Sequence, residues 1–140
     1  MSEKKEGQES FDRSSKALEI ELLAEREKSE QSIIEIVTEC WRFSRLFQKV
    51  ANRLDAGEAS KYISQLRYFL NKMDDVLQRH NLKVVNAEGQ LYEPGMAVTA
   101  LNIDEFDEAD ELIVDQMSEP IIMGQNGLKR MGTVLLRRRD

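Results

Sequence analysis

The stretch IIEIVTECWRFSRLFQKVANRL, residues 33–54, repeats apolar side chains at alternating steps of three and four residues. No Pro or Gly interrupts the chain from Gln8 to Ala56. Apolar residues at this spacing lie along one stripe of a helix, and a strict seven-residue period favours supercoiling against a partner helix. We therefore predict a homodimer held by this seam, whose members are Ile33, Ile36, Cys40, Phe43, Phe47, Val50 and Leu54.

A second apolar stripe lies beside the seam and contains Ile34, Val37 and Trp41. It makes the apolar face wider than a two-stranded interface requires. A wide face is typical of a helix that packs against more than one other helix, so it predicts a four-helix bundle. Trp41 is expected in the core of that bundle, with an exposed contact for a partner protein as the alternative.

Outward from the seam, we expect residues 1–14 to be a disordered polar tail, because they contain little that could be buried. A long helix should begin near Ser15 and end near Asp55, which gives a length of about 60 Å. The helix break is predicted at residues 54–59, with Gly57 at the helix C-terminus.

A second, shorter helix is predicted from about Glu58 to His80, antiparallel to the end of the first. Asn81 stands where a left-handed residue closes such a helix, and His80 caps its C-terminus. Residues 15–81 would then form a dimerisation stalk and bundle. The second helix should contribute Leu66, Phe69, Leu70 and Met73 to the dimer interface.

After Asn81 the pattern changes to short runs rich in Val, Ile, Leu and Thr. These runs are residues 82–85, 96–101, 112–116, 120–123 and 128–136. Turn-forming residues separate them at 86–89, 93–95 and 124–127, and the last of these turns is typical of a β-hairpin. Residues 82–140 are therefore predicted to be a small all-β domain, which makes the fold class α+β.

Composition excludes several classes of function. The formal net charge is −6, whereas a nucleic-acid surface needs clustered Lys and Arg. A single Cys allows no intramolecular disulfide, and the first residues lack the apolar core of a secretory signal. No apolar run is long enough to cross a bilayer. We expect a soluble cytoplasmic protein that binds neither nucleic acid nor membrane.

The sequence contains no recognisable catalytic or cofactor motif. Cys40 and His80 are the only residues of their types, and each has a structural explanation as a seam residue and a helix cap. There is no phosphate loop, nucleophile elbow or calcium loop. We expect no enzymatic activity, no cofactor and no metal site.

The acidic stretch from Asp104 to Glu111 leaves three interpretations open. It is most simply a solvated loop, since it lacks the spacing of a calcium site. It could instead hold a divalent cation, or it could meet a basic partner surface and speed encounter. Its acidic members are Asp104, Glu105, Asp107, Glu108, Asp110 and Glu111.

Four short segments carry a resemblance to a known family. These are MDDVLQRHNL at residues 73–82, followed by GQLYEP at 89–94, and then NG at 126–127 with RMGTV at 130–134. In this order the segments resemble the GrpE family, the nucleotide exchange factors of DnaK-type chaperones. The likeness extends over residues 32–134 and includes the order of long helix, short helix and β domain. The chain differs from the family pattern at Ala97 and at Glu119-Pro120, as a divergent member would.

The resemblance implies a homodimer with paired stalk helices and two β domains beside a four-helix bundle. One β domain would bind the chaperone's nucleotide-binding domain, open its cleft and release ADP. Contacts with the chaperone would then involve Tyr92, Pro94, Met117, Ile122 and Arg130. The alternative is a coiled-coil adaptor with the same fold, which tethers partners without changing nucleotide release.

Overall fold

The chain has an α+β fold in which two helices precede six short strands. A computed structural model describes residues 2–140, with side chains from Lys4 onward. The prediction of a long helix, a shorter helix and a small all-β region is confirmed. The elements are α1 (Ser2–Ala51), α2 (Ala56–Arg79), β1 (Lys83–Val85), β2 (Val98–Ala100), a 3₁₀ helix (Ile103–Glu105), β3 (Leu112–Glu119), β4 (Ile121–Gly124), β5 (Gly127–Arg130) and β6 (Gly132–Arg138).

The chain divides into two compact units, one ending at Glu35 and the other formed by Ile36–Asp140. The first unit consists of the N-terminal part of α1, and its side chains from Lys4 to Ser29 are exposed except at Ser15. Its large exposed apolar residues are Phe11, Leu18, Ile20, Leu22 and Leu23.

Residues 2–14 are helical, where the sequence predicted a disordered tail; Met1 lies outside the described residues. The reason is local. This segment is rich in Glu, Lys and Gln, which have good helix propensity. Side chains four residues apart also pair, since Gln8 donates to Asp12 at 3.2 Å and Arg13 lies 3.9 Å from Glu9.

The connection between the helices differs from the prediction in one detail. The Asp55 carboxylate accepts a hydrogen bond from the Glu58 backbone N–H at 3.0 Å and caps the start of α2. Gly57 therefore lies in the first turn of α2, not at the C-terminus of α1. The placement of Gly57 as a C-terminal residue was wrong because Asp55, two residues earlier, provides a stronger start signal.

The end of α2 has the geometry that the sequence predicted. Asn81 has a φ of 56° and follows the capping residue His80. The Leu82 N–H donates to the Leu77 carbonyl at 3.0 Å, and the Asn81 N–H donates to Gln78 at 3.1 Å. This is a Schellman motif, and its two leucines are both buried, as the motif usually requires.

The strands form two three-stranded sheets. The first has the order β1-β4-β5 and is antiparallel throughout. The second has the order β2-β6-β3, with β6 in the centre, parallel to β2 and antiparallel to β3. The hairpin predicted at residues 124–127 is confirmed, since β4 and β5 pair with Gly124 opposite Gly127.

The run predicted at residues 128–136 is divided by Met131, where the chain passes from the first sheet to the second. Gly132 follows directly, and it packs closely against the end of the neighbouring strand β3. A Cβ there would lie 2.7 Å from the Met117 Cε and 3.1 Å from the Glu119 carbonyl oxygen. Only a residue without a side chain fits this position without displacing its neighbours.

The core of the second unit lies between the two sheets and includes residues from both helices. Trp41 of α1 is buried among the strand residues, and Met73 of α2 packs against the same cluster. Trp41 is therefore a core residue, as expected, but of the β region and not of a helical bundle. Residues 36–81 belong to the same compact unit as the strands, so no division of the chain falls at residue 81. None of the described helices combines the length and apolar character that a membrane span requires.

Candidate functional site

The seam predicted from the heptad pattern is largely uncovered in the single chain. Phe43 and Ile36 are each 64% exposed, and Val50 is 54% exposed. We call this surface of α1 and α2 the hairpin face. Its main members are Ile36, Phe43, Phe47, Val50, Leu54, Tyr62 and Phe69.

Two apolar clefts of about 180 and 210 Å³ lie between the helices on this face. Phe43 shares the first cleft with Phe69, whereas Leu54 shares the second with Glu58, so the helices run antiparallel as predicted. The rings of Phe47 and Tyr62 meet edge to face with centroids 6.2 Å apart. The two helices thus cover each other only in part.

The remaining residues of the predicted interface vary in exposure. Leu66 is buried within the single chain, and Met73 contributes to the core of the β region. Leu66 is therefore already covered and Met73 is partly covered, which limits what they could add to an interface. Leu54 and Phe69 are exposed, and the half-buried members are Ile33, Cys40, Phe47 and Leu70.

Two of the residues predicted to contact a chaperone lie in the core. Ile122 has no exposed surface, and Met117 is 3% exposed. The Met117 sulfur also accepts the backbone N–H of Ala87 at 3.1 Å. A side chain that is enclosed by its own fold has no surface to offer a partner, so the assignment of these two residues is corrected here.

Arg130 connects the strands to α1 through a shared carboxylate. Its guanidinium lies 2.7 Å from Glu119 Oε2, and Arg42 of α1 lies 3.0 Å from Glu119 Oε1. The sequence left open whether Arg130 meets a partner or the acidic stretch at residues 104–111. It pairs with Glu119, outside that stretch, while about a third of its side chain stays exposed.

A second polar contact fixes α1 to the strands one turn further along. Arg45 forms an ion pair with Glu88, whose carboxylate also accepts the Met117 backbone N–H at 3.2 Å. The same guanidinium lies 5.3 Å from the centre of the Trp41 ring. Together with the Arg42–Glu119 contact, this pair holds α1 in a defined position on the β region.

Tyr92 and Pro94 line an open groove of about 730 Å³, which we call the Phe106 groove. Part of its lining is apolar and part is acidic. The apolar wall consists of Leu91, Tyr92, Pro94, Ile103, Phe106 and Leu112. The acidic rim consists of Asp104, Asp107, Glu108, Asp110 and Glu111.

Two carboxylates of this rim are paired within the chain. Arg138 Nε lies 3.2 Å from Asp110, and Arg139 Nη1 lies 3.3 Å from Glu111. The Arg138 guanidinium also lies 5.4 Å from the centre of the Phe106 ring. A hydrogen bond from the Asp107 backbone N–H lowers the pKa of Asp110, and the Arg138 charge acts in the same direction.

Within the described residues, no group of three or more His, Cys, Asp or Glu side chains is arranged to hold a metal ion. The acidic rim therefore surrounds an apolar wall and does not converge on one point. Cys40 is a half-buried free thiol on α1, and His80 is exposed at the end of α2.

Sequence reasoning missed the apolar wall of the groove. Phe106 and Ile103 lie within and beside an acidic stretch that we interpreted as a solvated loop, a cation site or a partner contact. The available signal was the large apolar side chain of Phe106 among several carboxylates. A fully solvated loop would gain no stability from such a side chain. Comparisons of the chain with family models, curated proteins and solved structures found no match.

Proposed function

We propose that this chain is a GrpE-like nucleotide exchange factor: a cytoplasmic homodimer that binds a DnaK-type chaperone and accelerates release of ADP. The observation that carries the proposal is an uncovered helical hairpin whose Trp41 packs into a compact two-sheet β region. The order of these elements is the order that the resemblance to the GrpE family implies. The proposal requires no bond chemistry from this chain.

The hairpin face supports the dimeric part of the proposal. Monomeric proteins rarely expose contiguous apolar patches of large side chains, and such patches usually mark an interface. Two antiparallel helices with apolar clefts between them form half of a four-helix bundle. A second copy related by two-fold symmetry would bring the same residues to fill those clefts.

The connection between α1 and the strands supports the second part. The Arg42–Glu119–Arg130 and Arg45–Glu88 contacts keep the β region in a fixed position on the helix. A factor that opens a chaperone cleft must bind the open, nucleotide-free state more tightly than the closed state. A β region that is held firmly by its helix can keep one shape against that open state, whereas a loosely attached one would adapt to both states.

The test is release of fluorescent ADP from the DnaK-type chaperone of the source cell, with the full-length chain added at increasing concentration. An exchange factor speeds release and binds the nucleotide-free chaperone preferentially. An adaptor binds both nucleotide states equally and leaves the release rate unchanged, and that result would refute the proposal.

Residues of the contact are tested by Arg130→Gln and Pro94→Ala, each compared with Arg26→Gln on the exposed part of α1. Arg130→Gln removes a charge without placing a second carboxylate opposite Glu119, which Arg130→Glu would do. We expect each of the two variants to slow exchange about 5- to 30-fold, the range of a contact worth 1–2 kcal/mol. Arg26→Gln should exchange at the wild-type rate.

A further inference from the structure

The Phe106 groove has the size and lining of a binding site. Its volume of about 730 Å³ lies within the range of natural ligand sites, about 300–1,000 Å³. Leu91 and Ile103 of its wall are 43% and 40% exposed, so apolar surface faces the opening. Such a wall favours an occupant with apolar side chains of its own.

The charge of the rim limits the chemistry of the occupant. Asp104, Asp107 and Glu108 form no ion pair among the residues that the structure describes. Anionic occupants would be repelled by these carboxylates, whereas a cationic one would be attracted.

The chain itself shows which cation fits. Arg138 places its guanidinium over the Phe106 ring and donates to Asp110 at the edge of the groove. An aromatic face combined with a carboxylate is a favourable environment for a guanidinium. Arg138 does not line the groove, and its side chain remains 61% exposed.

From these features we infer that the Phe106 groove binds a short peptide segment of a partner protein that carries both cationic and apolar side chains. The apolar side chains lie on the wall, and the cationic ones meet Asp104, Asp107 and Glu108. This inference goes beyond the proposed function, because the binding it describes requires neither a chaperone nor nucleotide exchange. It favours the basic-partner interpretation of the stretch 104–111 over a solvated loop.

The test uses full-length protein and fluorescein-labelled peptides in an anisotropy titration. The probes are Leu-Arg-Leu-Arg-Leu, its acidic counterpart Leu-Glu-Leu-Glu-Leu, and Gly-Arg-Gly-Arg-Gly, which has the same charge without apolar side chains. The first should bind saturably with one site per chain, the second should not bind, and the third should bind at least tenfold more weakly. Absence of binding by the first probe, or equal binding by the first and third, overturns the inference.

Isosteric variants distinguish binding in the groove from attraction by the overall negative charge of the protein. Asp107→Asn with Glu108→Gln should weaken the first peptide about tenfold. The matched control, Glu93→Gln with Glu105→Gln, removes the same charge from neighbouring exposed positions outside the groove. Because neither Glu93 nor Glu105 lines the groove, the control should weaken the first peptide less than the rim pair does. Equal loss in both pairs would mean diffuse attraction and would overturn the inference.

The apolar wall is tested by Ile103→Asn against Leu101→Asn, an exposed apolar residue nearby that does not line the groove. We expect a loss of about tenfold for the first variant only. The alternative occupant is a second copy of the chain that inserts its own Arg137–Arg139 segment. Sedimentation of the Asp107→Asn, Glu108→Gln variant tests this alternative. A change in oligomeric state with Asp107→Asn and Glu108→Gln would assign the groove to that second copy and refute the peptide site.

Discussion

The β region encloses a core of apolar side chains, whereas the helical hairpin leaves a stripe of large apolar side chains uncovered. Ile122 and Val134 have no exposed surface, whereas Phe43 and Ile36 are each 64% exposed. Two sheets in one chain can cover each other's inner faces, and Trp41 of α1 completes that core. Two helices cannot enclose a face as wide as theirs, because a helical core needs at least one more helix. A single chain can therefore bury the core of its β region completely, whereas the apolar face of its helices is buried only on association with another chain.

The largest expected effect comes from placing charges on the exposed hairpin face, which should prevent dimer formation. Phe43→Asp with Val50→Asp should raise the dissociation constant of the dimer at least about 1000-fold, since each buried unpaired carboxylate costs several kcal/mol. Sedimentation equilibrium measures this directly. The matched control, Leu101→Asp with Leu128→Asp, changes two exposed leucines of the β region and should leave the dimer intact. A wild-type chain that is monomeric at about 10 µM, near −7 kcal/mol of association, would contradict the expectation.

Next in size is a comparison of one isoleucine from each region. Ile122→Ala should lower the free energy of unfolding by about 2–5 kcal/mol at any protein concentration, because its cavity lies inside one chain. Ile36→Ala should cost stability only where dimers form. Urea unfolding at two concentrations, a hundredfold apart, distinguishes the two. If both losses are independent of concentration, the hairpin face is not an interface.

A glycine from each region should respond in opposite directions to the same substitution. Gly132→Ala should destabilise by about 1–3 kcal/mol, because the added Cβ meets the Glu119 carbonyl and the Met117 side chain. Gly57→Ala should stabilise by about 0.4–1 kcal/mol, because its helical position has only the Asp55 carboxylate nearby, at 3.6 Å. Thermal unfolding monitored by circular dichroism gives both signs. Similar effects at the two positions would contradict the close approach of β3 to Gly132.

The smallest expected effect lies at Asn81, where the hairpin ends and the strands begin. Asn81→Ala should cost about 1 kcal/mol, because a residue with a Cβ and no local polar group is disfavoured at positive φ. Asn81→Gly should be neutral or slightly stabilising. Unfolding curves of the two variants provide the measurement, and equal stability of Ala and Gly would argue against the left-handed cap.

Local signals in the sequence predicted the features that depend on neighbouring residues. The heptad seam predicted the helix, Asn81 the cap, and residues 124–127 the hairpin, since each is decided within one or two turns of chain. The sequence contains two apolar stripes on α1, and no local sequence signal indicates which stripe packs against the strands. Trp41 of the second stripe does so, whereas Phe43 of the seam remains exposed. That choice depends on residues far away in the chain.

The candidate site divides in the same way. Tyr92 and Pro94 were predicted as chaperone contacts from the resemblance of their segment to the GrpE family. Both line the groove, and their contact with a chaperone stays a prediction. Met117 and Ile122 were misassigned because alternation alone does not tell which side of a short strand is covered when two sheets pack together. The contact of Arg130 with a chaperone stays a prediction. Its ion pair with Glu119 was not predicted, since a pair between separate strands produces no pattern in either segment of the sequence.

The central position of β6 also sets an order of events during synthesis of the chain. Neither β2 nor β3 can pair within the second sheet until β6 has been made, because β6 lies between them. Strand β6 begins roughly 90 residues after Trp41. At a synthesis rate of about 5–20 residues per second, the strand that completes the core around Trp41 is therefore made about 5–20 s after Trp41 itself. The hairpin is complete well before that, at Asn81. A nascent chain on the ribosome therefore exposes both apolar stripes of α1 at the same time. The strands must pack against Trp41 before a second chain binds to that stripe.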